Sequence, residues 1–515
     1  MVLLLLAACG GGGLDGGGLA APVPCSTPLA AGLAAAPDAG DDTLQIVNDS
    51  AALSAQVNCL EQPVPITAAG RQKAGGNGDP GVRLTLVAEV SSPAVVGRPE
   101  FLGGTLDDLS AGGAFVGQGT RVFTVEIDGT GAVDTFRWSD DGGQTWMGGL
   151  TAIDGAAQPL ADGVTVAFGA LTGHAVGDAW RIEAGVLQAA SVDIKGDSII
   201  VGYNTAGAPR LGGIQVFHMQ HGFPVLTSQA LFRDADIHAV SASGGSDQGT
   251  AVYAAGAARK DDGAAPAMLE RIRLVGQHMV LDGHARMGLP SFATTGVTAV
   301  HAGVLYAASG NTGGLAVIDD AAFSVIDYLP MGDARWLAGG THTLGLLAGG
   351  APGQGGALVM FDVGNQGGAL ARNSFAVAGA DVPEAKNTVE LAGDTAVVAA
   401  GPAGVQVLDL ADGALLAELP VPTGVTADPL DSVANAATVD NDVMFVSFGG
   451  AGIYAARADR HFTKPGGGAI TVDLLGRLDF GDRASANHVA YKADYLYVAA
   501  GLGGLKIVRV ACDPR

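Results

Sequence analysis

The sequence feature that most constrains the fold is a short unit of two β-patterns joined by a glycine turn. Its last copy runs from Asn487 to Val510 and reads NHVAYKADYLYVAAGLGGLKIVRV. Val and Tyr recur in His488–Val498, and apolar residues alternate with Lys506 and Arg509 in Leu505–Val510, which predicts two strands. We expect the glycines between them to supply the positive φ of a tight turn, at Gly501, Gly503 and Gly504.

This unit recurs upstream, so the chain is predicted to be a repeat array. With the terminal copy there are seven units, the others being Ser191–Met219, Ile237–Leu274, Val297–Asp320, Trp336–Val363, Thr388–Leu410 and Val433–Asp459. Successive turn glycines from Gly314 to Gly504 lie 42, 48, 48 and 52 positions apart. That spacing is typical of a four-stranded propeller blade. We therefore expect an all-β fold, a seven-bladed β-propeller over residues 185–515.

The same units resemble a known family. YLYVAAGLGGLKIVRV and VLYAASGNTGGLAVIDD look like LVIVD repeats, the β-propeller units of bacterial secreted and surface lipoproteins. The stretch from Asp193 to Ala239 resembles the first blades of one such lipoprotein group. The resemblance covers roughly Gly185 to Val510 and implies a propeller in the cell envelope. It implies no reaction, because the family brings none with it.

The N-terminus predicts export and lipidation. Residues 1–9, MVLLLLAAC, form an apolar run too short to span a bilayer, and Leu6-Ala7-Ala8-Cys9 looks like a lipobox whose Cys9 is lipidated. No Lys or Arg precedes the run, which suggests a start codon assigned too far downstream. A plain secretory signal cleaved elsewhere is the alternative. Residues 10–41, rich in Gly, Ala and Pro, are predicted to form a flexible tether, and we expect a monomer anchored to the outer membrane on its periplasmic or surface face.

Three cysteines remain beyond Cys9, so one disulfide would leave one thiol. A Cys59–Cys512 bond would join the N-terminal region to the last blade, and Cys25–Cys59 is the local alternative. No CxxCH or CxxC pattern indicates haem or zinc.

Residues 42–81 are predicted to form a small ordered segment, with a strand at Thr43–Val47 and a helix from its N-cap Ser50 through Cys59. The terminal unit supplies only three strands. Within residues 82–100, the strand Val82–Val90 (VRLTLVAEV) is expected to provide the missing outer strand and to close the ring.

An interruption at residues 101–184 is predicted to be an inserted module. Alternating strands and Asp-Gly turns resemble small β-sandwich modules of bacterial and phage surface proteins. Ser139–Trp146 fits the Asp-box pattern S-x-D-x-G-x-T-W and is interpreted as a stable turn rather than a sialidase site. Trp138, Trp146 and Trp180 are expected in the module's core, and exposure of Trp138 or Trp146 on one face would instead favour carbohydrate binding.

Charge excludes some partners. The formal charge of −24 and the lack of a basic cluster argue against nucleic acid and against anionic membrane surfaces, leaving the N-terminal lipid as the membrane contact. Acidic turns at Asp128–Asp134, Asp140–Asp141, Asp319–Asp320 and Asp440–Asp442 could bind calcium, although none has the EF-hand pattern. No organic cofactor is predicted. A divalent cation such as calcium is the one bound species that the acidic turns allow.

A candidate channel site consists of polar residues near the starts of inner strands: Asp236, His238, Asn435, Asn487 and His488. If these side chains converge, they could hold a metal or a polar ligand. The alternative is that they are hydrogen-bonded structural residues of the channel.

Three functions follow from these observations. The first is a non-enzymatic envelope lipoprotein, a scaffold that binds an envelope protein or an extracellular polymer. It is favoured because the sequence has no G-x-S-x-G elbow, P-loop or HExxH motif. The second is a metal-assisted hydrolase or lyase at the channel mouth. The third, and weakest, is carbohydrate binding by the inserted module.

Overall fold

The described chain is all-β, built from antiparallel sheets with one short helix among the described residues. The computed structural model describes residues 43–65, 82–205, 210–220, 222–242, 250–259, 266–301, 303–310, 312–364, 367–381, 386–424, 431–466, 468–481 and 484–512. No helix within these ranges has the length and apolar character needed to cross a membrane.

The N-terminal segment contributes strands to the sheets rather than a unit of its own. Its elements are β1 (Leu44–Val47), α1 (Ser50–Ser54), β2 (Val57–Pro65) and β3 (Val82–Val90). The predicted helix was too long and its predicted cap was wrong. Asp49 is the N-cap and accepts hydrogen bonds from the backbone N–H groups of Ala51 (2.9 Å) and Ala52 (3.0 Å). The helix ends before Val57 because residues 57–59 pair with β3 instead.

The inserted module has two sheets that share one hydrophobic core. Its strands are β4 (Ala94–Val96), β5 (Glu100–Gly103), β6 (Leu109–Gly113), β7 (Thr120–Gly129), β8 (Thr135–Ser139), β9 (Met147–Ala152), β10 (Gln158–Pro159), β11 (Val164–Phe168) and β12 (Ala179–Val186). One sheet has the order β4-β12-β7-β8-β9, with β5 also on β12, and the other β10-β11-β6. Phe123, Phe168 and Trp180 pack in their common core. The module's sheet begins at Ala94 and continues to Val186, beyond the predicted bounds of 101 and 184, because β4 pairs with the end of β12.

The remaining strands follow in order. They are β13 (Gln188–Lys195), β14 (Ser198–Asn204), β15 (Gly212–Gln220), β16 (Phe223–Phe232), β17 (Ala235–Ala242), β18 (Thr250–Ala258), β19 (Ala267–Val275), β20 (His278–Gly288), β21 (Thr294–His301), β22 (Val304–Ser309), β23 (Gly313–Asp319), β24 (Ser324–Gly339), β25 (Thr343–Gly349), β26 (Gly356–Val363), β27 (Ala369–Val377), β28 (Thr388–Ala392), β29 (Thr395–Ala399), β30 (Val405–Asp409), β31 (Leu415–Leu419), β32 (Ala436–Asp440), β33 (Val443–Ser447), β34 (Ile453–Ala458), β35 (Val472–Leu478), β36 (Ala484–Lys492), β37 (Tyr495–Gly501) and β38 (Leu505–Cys512).

These strands pair into consecutive antiparallel groups. β13–β16, β17–β20, β28–β31 and β32–β35 each form a group of four, and the long β24 belongs both to β21–β24 and to β24–β27. β36, β37 and β38 receive β3 as their fourth strand, with Val82 opposite Cys512 and Val90 opposite Leu505. The predicted pairing of Val82–Val90 with the C-terminal strand is therefore present. β2 then pairs with β3, and β1 pairs with β16.

Neighbouring groups pack through their faces and through their first strands. First strands are in contact in the order β13, β17, β21, β24, β28, β32 and β36, and β36 is in contact with β13. Each adjacent pair of groups shares a hydrophobic cluster, including the pair formed by the last group and the first. Small residues in these clusters, such as Ala399 and Ala499, let the sheets approach closely.

The glycine turn has the same geometry in three successive groups. The first glycine has φ near 60° and the last near 80°, as in the pairs Gly401 and Gly404, Gly449 and Gly452, and Gly501 and Gly504. Gly503 is not in the left-handed region, contrary to the prediction. A Cβ there would lie 2.9 Å from the carbonyl oxygen of Ala500, so Gly503 is needed for close approach rather than for its φ.

Candidate functional site

The five predicted site residues all lie at the first strands of their groups. Asp236 and His238 are on β17, Asn487 and His488 are on β36, and Asn435 directly precedes β32. A first strand has an edge that its own sheet leaves largely unpaired, so its backbone groups need other partners. Asn435, Asn487 and His488 meet that need.

Asn435 and Asn487 perform the same task at equivalent positions. Asn435 Nδ2 donates to the carbonyl oxygen of Ala486 at 3.2 Å, and Asn487 Nδ2 donates to that of Ala189 at 2.9 Å. Each amide thus joins its own group to the first strand of the next. Their carboxamide oxygens also have partners, since Ser485 Oγ donates to Asn487 Oδ1 at 3.0 Å. Both side chains are engaged in structure.

Two acidic residues that sequence reasoning missed accept hydrogen bonds across two other junctions between neighbouring groups. The N–H of Ala242 donates to Asp193 Oδ2 at 3.0 Å, and the N–H of Val439 donates to Glu390 Oε1 at 3.2 Å. In both cases donor and acceptor are 49 residues apart, so the contact repeats with the unit. Burial raises the pKa of Asp193, and it raises the pKa of Glu390 to about 7. The sequence carried one signal for these two residues: each is a carboxylate within an otherwise apolar strand pattern.

His488 is a hydrogen-bond acceptor and packs against an aromatic ring at a tilt of 38°. The N–H of Val192 donates to its Nδ1 at 3.4 Å, and its ring centroid lies 5.1 Å from that of Trp336. Burial, and then the charge of Lys386, hold the pKa of His488 well below its usual value. The imidazole is therefore neutral, with Nδ1 unprotonated.

Lys386, just before β28, contacts three other first strands. Its Nζ donates to the carbonyl oxygens of Ala190 on β13 and of His238 on β17, the latter at 3.1 Å. The same ammonium lies 5.1 Å from the ring centroid of Trp336 on β24. Burial lowers the pKa of Lys386 to about 7. Sequence reasoning missed it because it lies outside the repeated strand pattern, although Asn387 beside it precedes Asn435 and Asn487 at the repeat spacing.

Asp236 and His238 contact each other but not the other predicted residues. His238 Nε2 lies 3.5 Å from Asp236 Oδ1, and His238 Nδ1 lies 3.4 Å from Asn204 Nδ2. The Asp236 carboxylate turns back to its own sheet, where it accepts from the N–H of Ala257 at 3.1 Å. Burial raises the pKa of Asp236. Lys386 thus brings the two histidines into one neighbourhood, and its own N–H donates to Asn435 Oδ1 at 3.3 Å. Asp236 and Asn487 point to other backbone partners.

The carboxylates considered for calcium have partners within the chain. Asp128 accepts from Thr135 Oγ1 and from the N–H of Leu150, both at 2.7 Å. Asp320 accepts from Tyr253 at 2.8 Å, and Asp442 lies 3.3 Å from Arg457 Nε. Among the residues described, no group of three His, Cys, Asp or Glu side chains is arranged to hold a metal ion.

The inserted module contains a buried histidine between two aspartates. His174 Nδ1 lies 3.0 Å from Asp134 Oδ2, and its Nε2 lies 3.0 Å from Asp108 Oδ1. Burial opposes a charge on this imidazole, but the hydrogen bonds to the two carboxylates outweigh it and raise the pKa of His174. The three side chains tie together three loops of the module.

The Asp-box turn forms as predicted, but its tryptophan is not in the core. Asp141 Oδ1 accepts from the N–H groups of Gln144 (2.9 Å) and Thr145 (2.8 Å) and from Ser139 Oγ (2.7 Å). The bonds from Thr145 and Ser139 lower the pKa of Asp141 to about 2. Trp146 is half-exposed, and the guanidinium of Arg137 lies 4.2 Å from its ring centroid.

The other two tryptophans of the module lie on the core face. Trp180 is fully buried, and Trp138 is half-exposed at the rim of the core cluster. Trp138 pairs with the core residue Val125, whereas its neighbour Arg137, which covers Trp146, alternates to the opposite face. Trp138 and Trp146 therefore do not form one exposed platform.

Cys59 is disulfide-bonded. Cys59 lies opposite Ala88 on β3, and Cys512 lies opposite Val82, six residues further along that strand. At about 3.3 Å per residue this offset places the two Cα atoms roughly 20 Å apart, beyond the reach of a disulfide. The register thus excludes the predicted Cys59–Cys512 bond. Cys25, the alternative partner, and the lipobox residue Cys9 lie outside the described residues, and their assignments stay predictions.

Comparison with known proteins does not assign a family. No protein-family model matches the chain. No curated protein matches it either. Among solved structures, U3-55K aligns with a TM-score of 0.44 and 12% identity over 63% of this chain and 95% of that one. The computationally designed Ika8 protein aligns with a TM-score of 0.36 and 13% identity over 63% of this chain and 96% of its own. Likeness at this level carries no functional argument.

Proposed function

We propose that the chain is a non-enzymatic scaffold of the cell envelope, a seven-bladed β-propeller of the LVIVD type with an inserted β-sandwich module. The propeller is supported by the cycle of contacts between first strands and by the hydrophobic cluster shared by each adjacent pair of sheet groups. β3 supplies the fourth strand of the last group, so the chain's own N-terminal region closes the ring.

One observation carries the non-enzymatic assignment: several polar side chains of the first strands are bonded to the backbone of neighbouring groups. Asn435, Asn487 and Glu390 each bind a main-chain group of the following group. Side chains held in this way cannot turn toward a common substrate without leaving buried backbone groups unpaired. Binding is then assigned to exposed loops and to the inserted module, with an envelope protein or an extracellular polymer as the partner.

The envelope location rests on the predicted lipobox, and the disulfide-bonded Cys59 is consistent with an oxidising compartment. Expression in a Gram-negative host with labelled palmitate tests it. We expect label in the membrane fraction for the wild-type chain and none for Cys9→Ser. Label retained in Cys9→Ser would reject lipidation at this position.

The alternative, a metal-assisted hydrolase or lyase, is favoured by one feature, the proximity of His238 and His488 to Lys386, an amine with a lowered pKa. Elemental analysis of the dialysed protein, with melting curves in the presence and absence of a chelator, separates the two functions. The scaffold predicts no stoichiometric metal and an unchanged melting temperature. A stoichiometric metal whose removal lowers the melting temperature would favour the enzyme.

A further inference from the structure

The inserted module has two ends, and one of them lies away from the rest of the chain. At the neck, β12 pairs with β4 near Val186, and Gly97 donates to the carbonyl oxygen of Glu183. At the other end, Ala179 of β12 lies opposite Gly103 of β5 and Glu126 of β7. We call the loops at that end, residues 102–108, 127–135, 148–156 and 169–178, the distal tip.

Exposed apolar side chains of the module concentrate at the distal tip. Six large hydrophobic residues of the module are strongly exposed, and five of them lie there: Leu150 (72%), Val176 (63%), Leu102 (53%), Leu171 (45%) and Val133 (38%). The sixth, Val116, lies at the neck end. Single exposed apolar residues are common, but five on the loops of one end of the module indicate an interaction surface.

Hydrogen bonds fix the loops of the distal tip, so the apolar side chains cannot simply fold inward. His174 joins residue 108 of one loop to residue 134 of another. Asp178 accepts from the N–H groups of Thr105 (2.9 Å) and Ala175 (3.0 Å). The N–H of Asp134 donates to the carbonyl oxygen of Leu171 at 2.9 Å. The surface is therefore pre-formed, which lowers the entropic cost of binding.

The most exposed member, Leu150, is held in a strained conformation. Its φ is 59°, in the left-handed region that a leucine rarely adopts. The hydrogen bond from its N–H to Asp128 Oδ2, at 2.7 Å, stabilises this geometry. A residue such as Asn or Gly would adopt it at lower cost.

Charge indicates the kind of partner. The distal tip contains no Lys or Arg and six aspartates, at positions 107, 108, 128, 134, 154 and 178. Asp107 and Asp154 are exposed, whereas Asp134 and Asp178 are buried and bonded within the module. The whole chain carries −24. A second copy of this chain or an anionic bilayer would add like charge, whereas a basic protein surface would complement the acidic rim.

We infer that the distal tip is a docking surface for a protein segment that presents apolar side chains interleaved with Lys or Arg. This inference rests on the proposed scaffold function and assigns its binding face. Leu150 and Val176 enter the partner's apolar patch, and the exposed carboxylates of Asp107 and Asp154 face its cations.

A labelled peptide of alternating Leu and Lys, titrated with the full chain and followed by fluorescence anisotropy, tests the inference. Leu150→Asn keeps the left-handed backbone but removes the apolar side chain, and Val176→Asn is combined with it. The matched control is Val116→Asn, an exposed valine at the neck end. We expect the double variant to weaken binding about tenfold or more, and raised salt to weaken it further, while the control binds as wild type. A peptide of alternating Leu and Glu should not bind.

Several results would overturn the inference. These are equal binding by the double variant and the wild type, equal binding of the Glu peptide, dimerisation that depends on Leu150, and binding of anionic vesicles through the tip. None of these outcomes bears on the scaffold itself, which is rejected separately by a stoichiometric metal at the first strands. Circular dichroism of the variants confirms that a change in binding does not come from unfolding.

Discussion

Single polar residues on or beside the first strands connect one sheet group to the next. Asn435 and Asn487 donate to backbone carbonyls, while Asp193 and Glu390 accept from backbone N–H groups. The sequence marked the two asparagines as notable, but it could not distinguish a ligand from a structural partner. The partners, Ala486 and Ala189, lie one whole group away and carry no sequence signal of their own.

Glu390 should make stability fall as pH rises through the acid range. Its pKa is about 7 in the folded chain and near 4.5 when unfolded, so between these values the folded state holds a proton that the unfolded state lacks. The free energy of unfolding therefore decreases with rising pH, by at most about 1.4 kcal/mol per pH unit. Glu390→Gln should remove this decrease in urea denaturation at pH 4.5 to 7. The exposed Glu418→Gln is the control, and identical pH profiles for wild type and Glu390→Gln would contradict the assignment.

Lys386 should make the free energy of unfolding rise with pH in the alkaline range, opposite to the effect of Glu390. Its pKa is 10.5 when unfolded and about 7 when folded, so between these values the unfolded state holds the extra proton. Stability should rise from pH 7 toward pH 10, relative to Lys386→Met, which has no amine to titrate. The exposed Lys464→Met should follow the wild type. A constant difference between wild type and Lys386→Met across this range would show that the amine keeps an ordinary pKa.

At the scale of elements, the repeat pattern predicted strands well where turn chemistry fixes them. The turn between β37 and β38 and the strand β3 were both predicted, because glycine spacing and alternation are local signals. The boundary between α1 and β2 was wrong, since residues 57–59 have a partner in β3 that local pattern does not reveal. The conformation of the distal-tip loops could not be predicted from sequence either, because it depends on contacts of His174 with residues 40 and 66 positions away.

β3 should be essential to the stability of the last group. Leu84 is buried between β38 and the neighbouring group, so Leu84→Ala should lower the free energy of unfolding by about 3 kcal/mol. Val116→Ala, at an exposed position, should change it by less than about 0.5 kcal/mol. Guanidinium denaturation followed by tyrosine and tryptophan fluorescence measures both. A loss below about 1 kcal/mol for Leu84→Ala would mean that β3 is peripheral.

At the scale of the whole molecule, both ends of the described chain meet in one continuous sheet. β1 extends the first group, β2 and β3 extend the last, and Leu53 of α1 packs in the cluster between them. The polar residues of the first strands then connect successive groups at their inner edges. The proposed architecture is a closed ring whose central polar residues are used for cohesion, while binding is left to the loops.

Urea denaturation of Asn487→Ala tests whether the polar residues of the first strands hold neighbouring groups together. If Asn487 is structural, its loss leaves the carbonyl oxygen of Ala189 without its donor, and the free energy of unfolding should fall by about 1 to 2 kcal/mol. Asn58→Ala, at an exposed position on β2, should leave it unchanged. Residues kept for ligand binding are often replaced without loss of stability, or with a gain. An unchanged or higher unfolding midpoint for Asn487→Ala would therefore contradict the account and return these side chains to a binding or catalytic role.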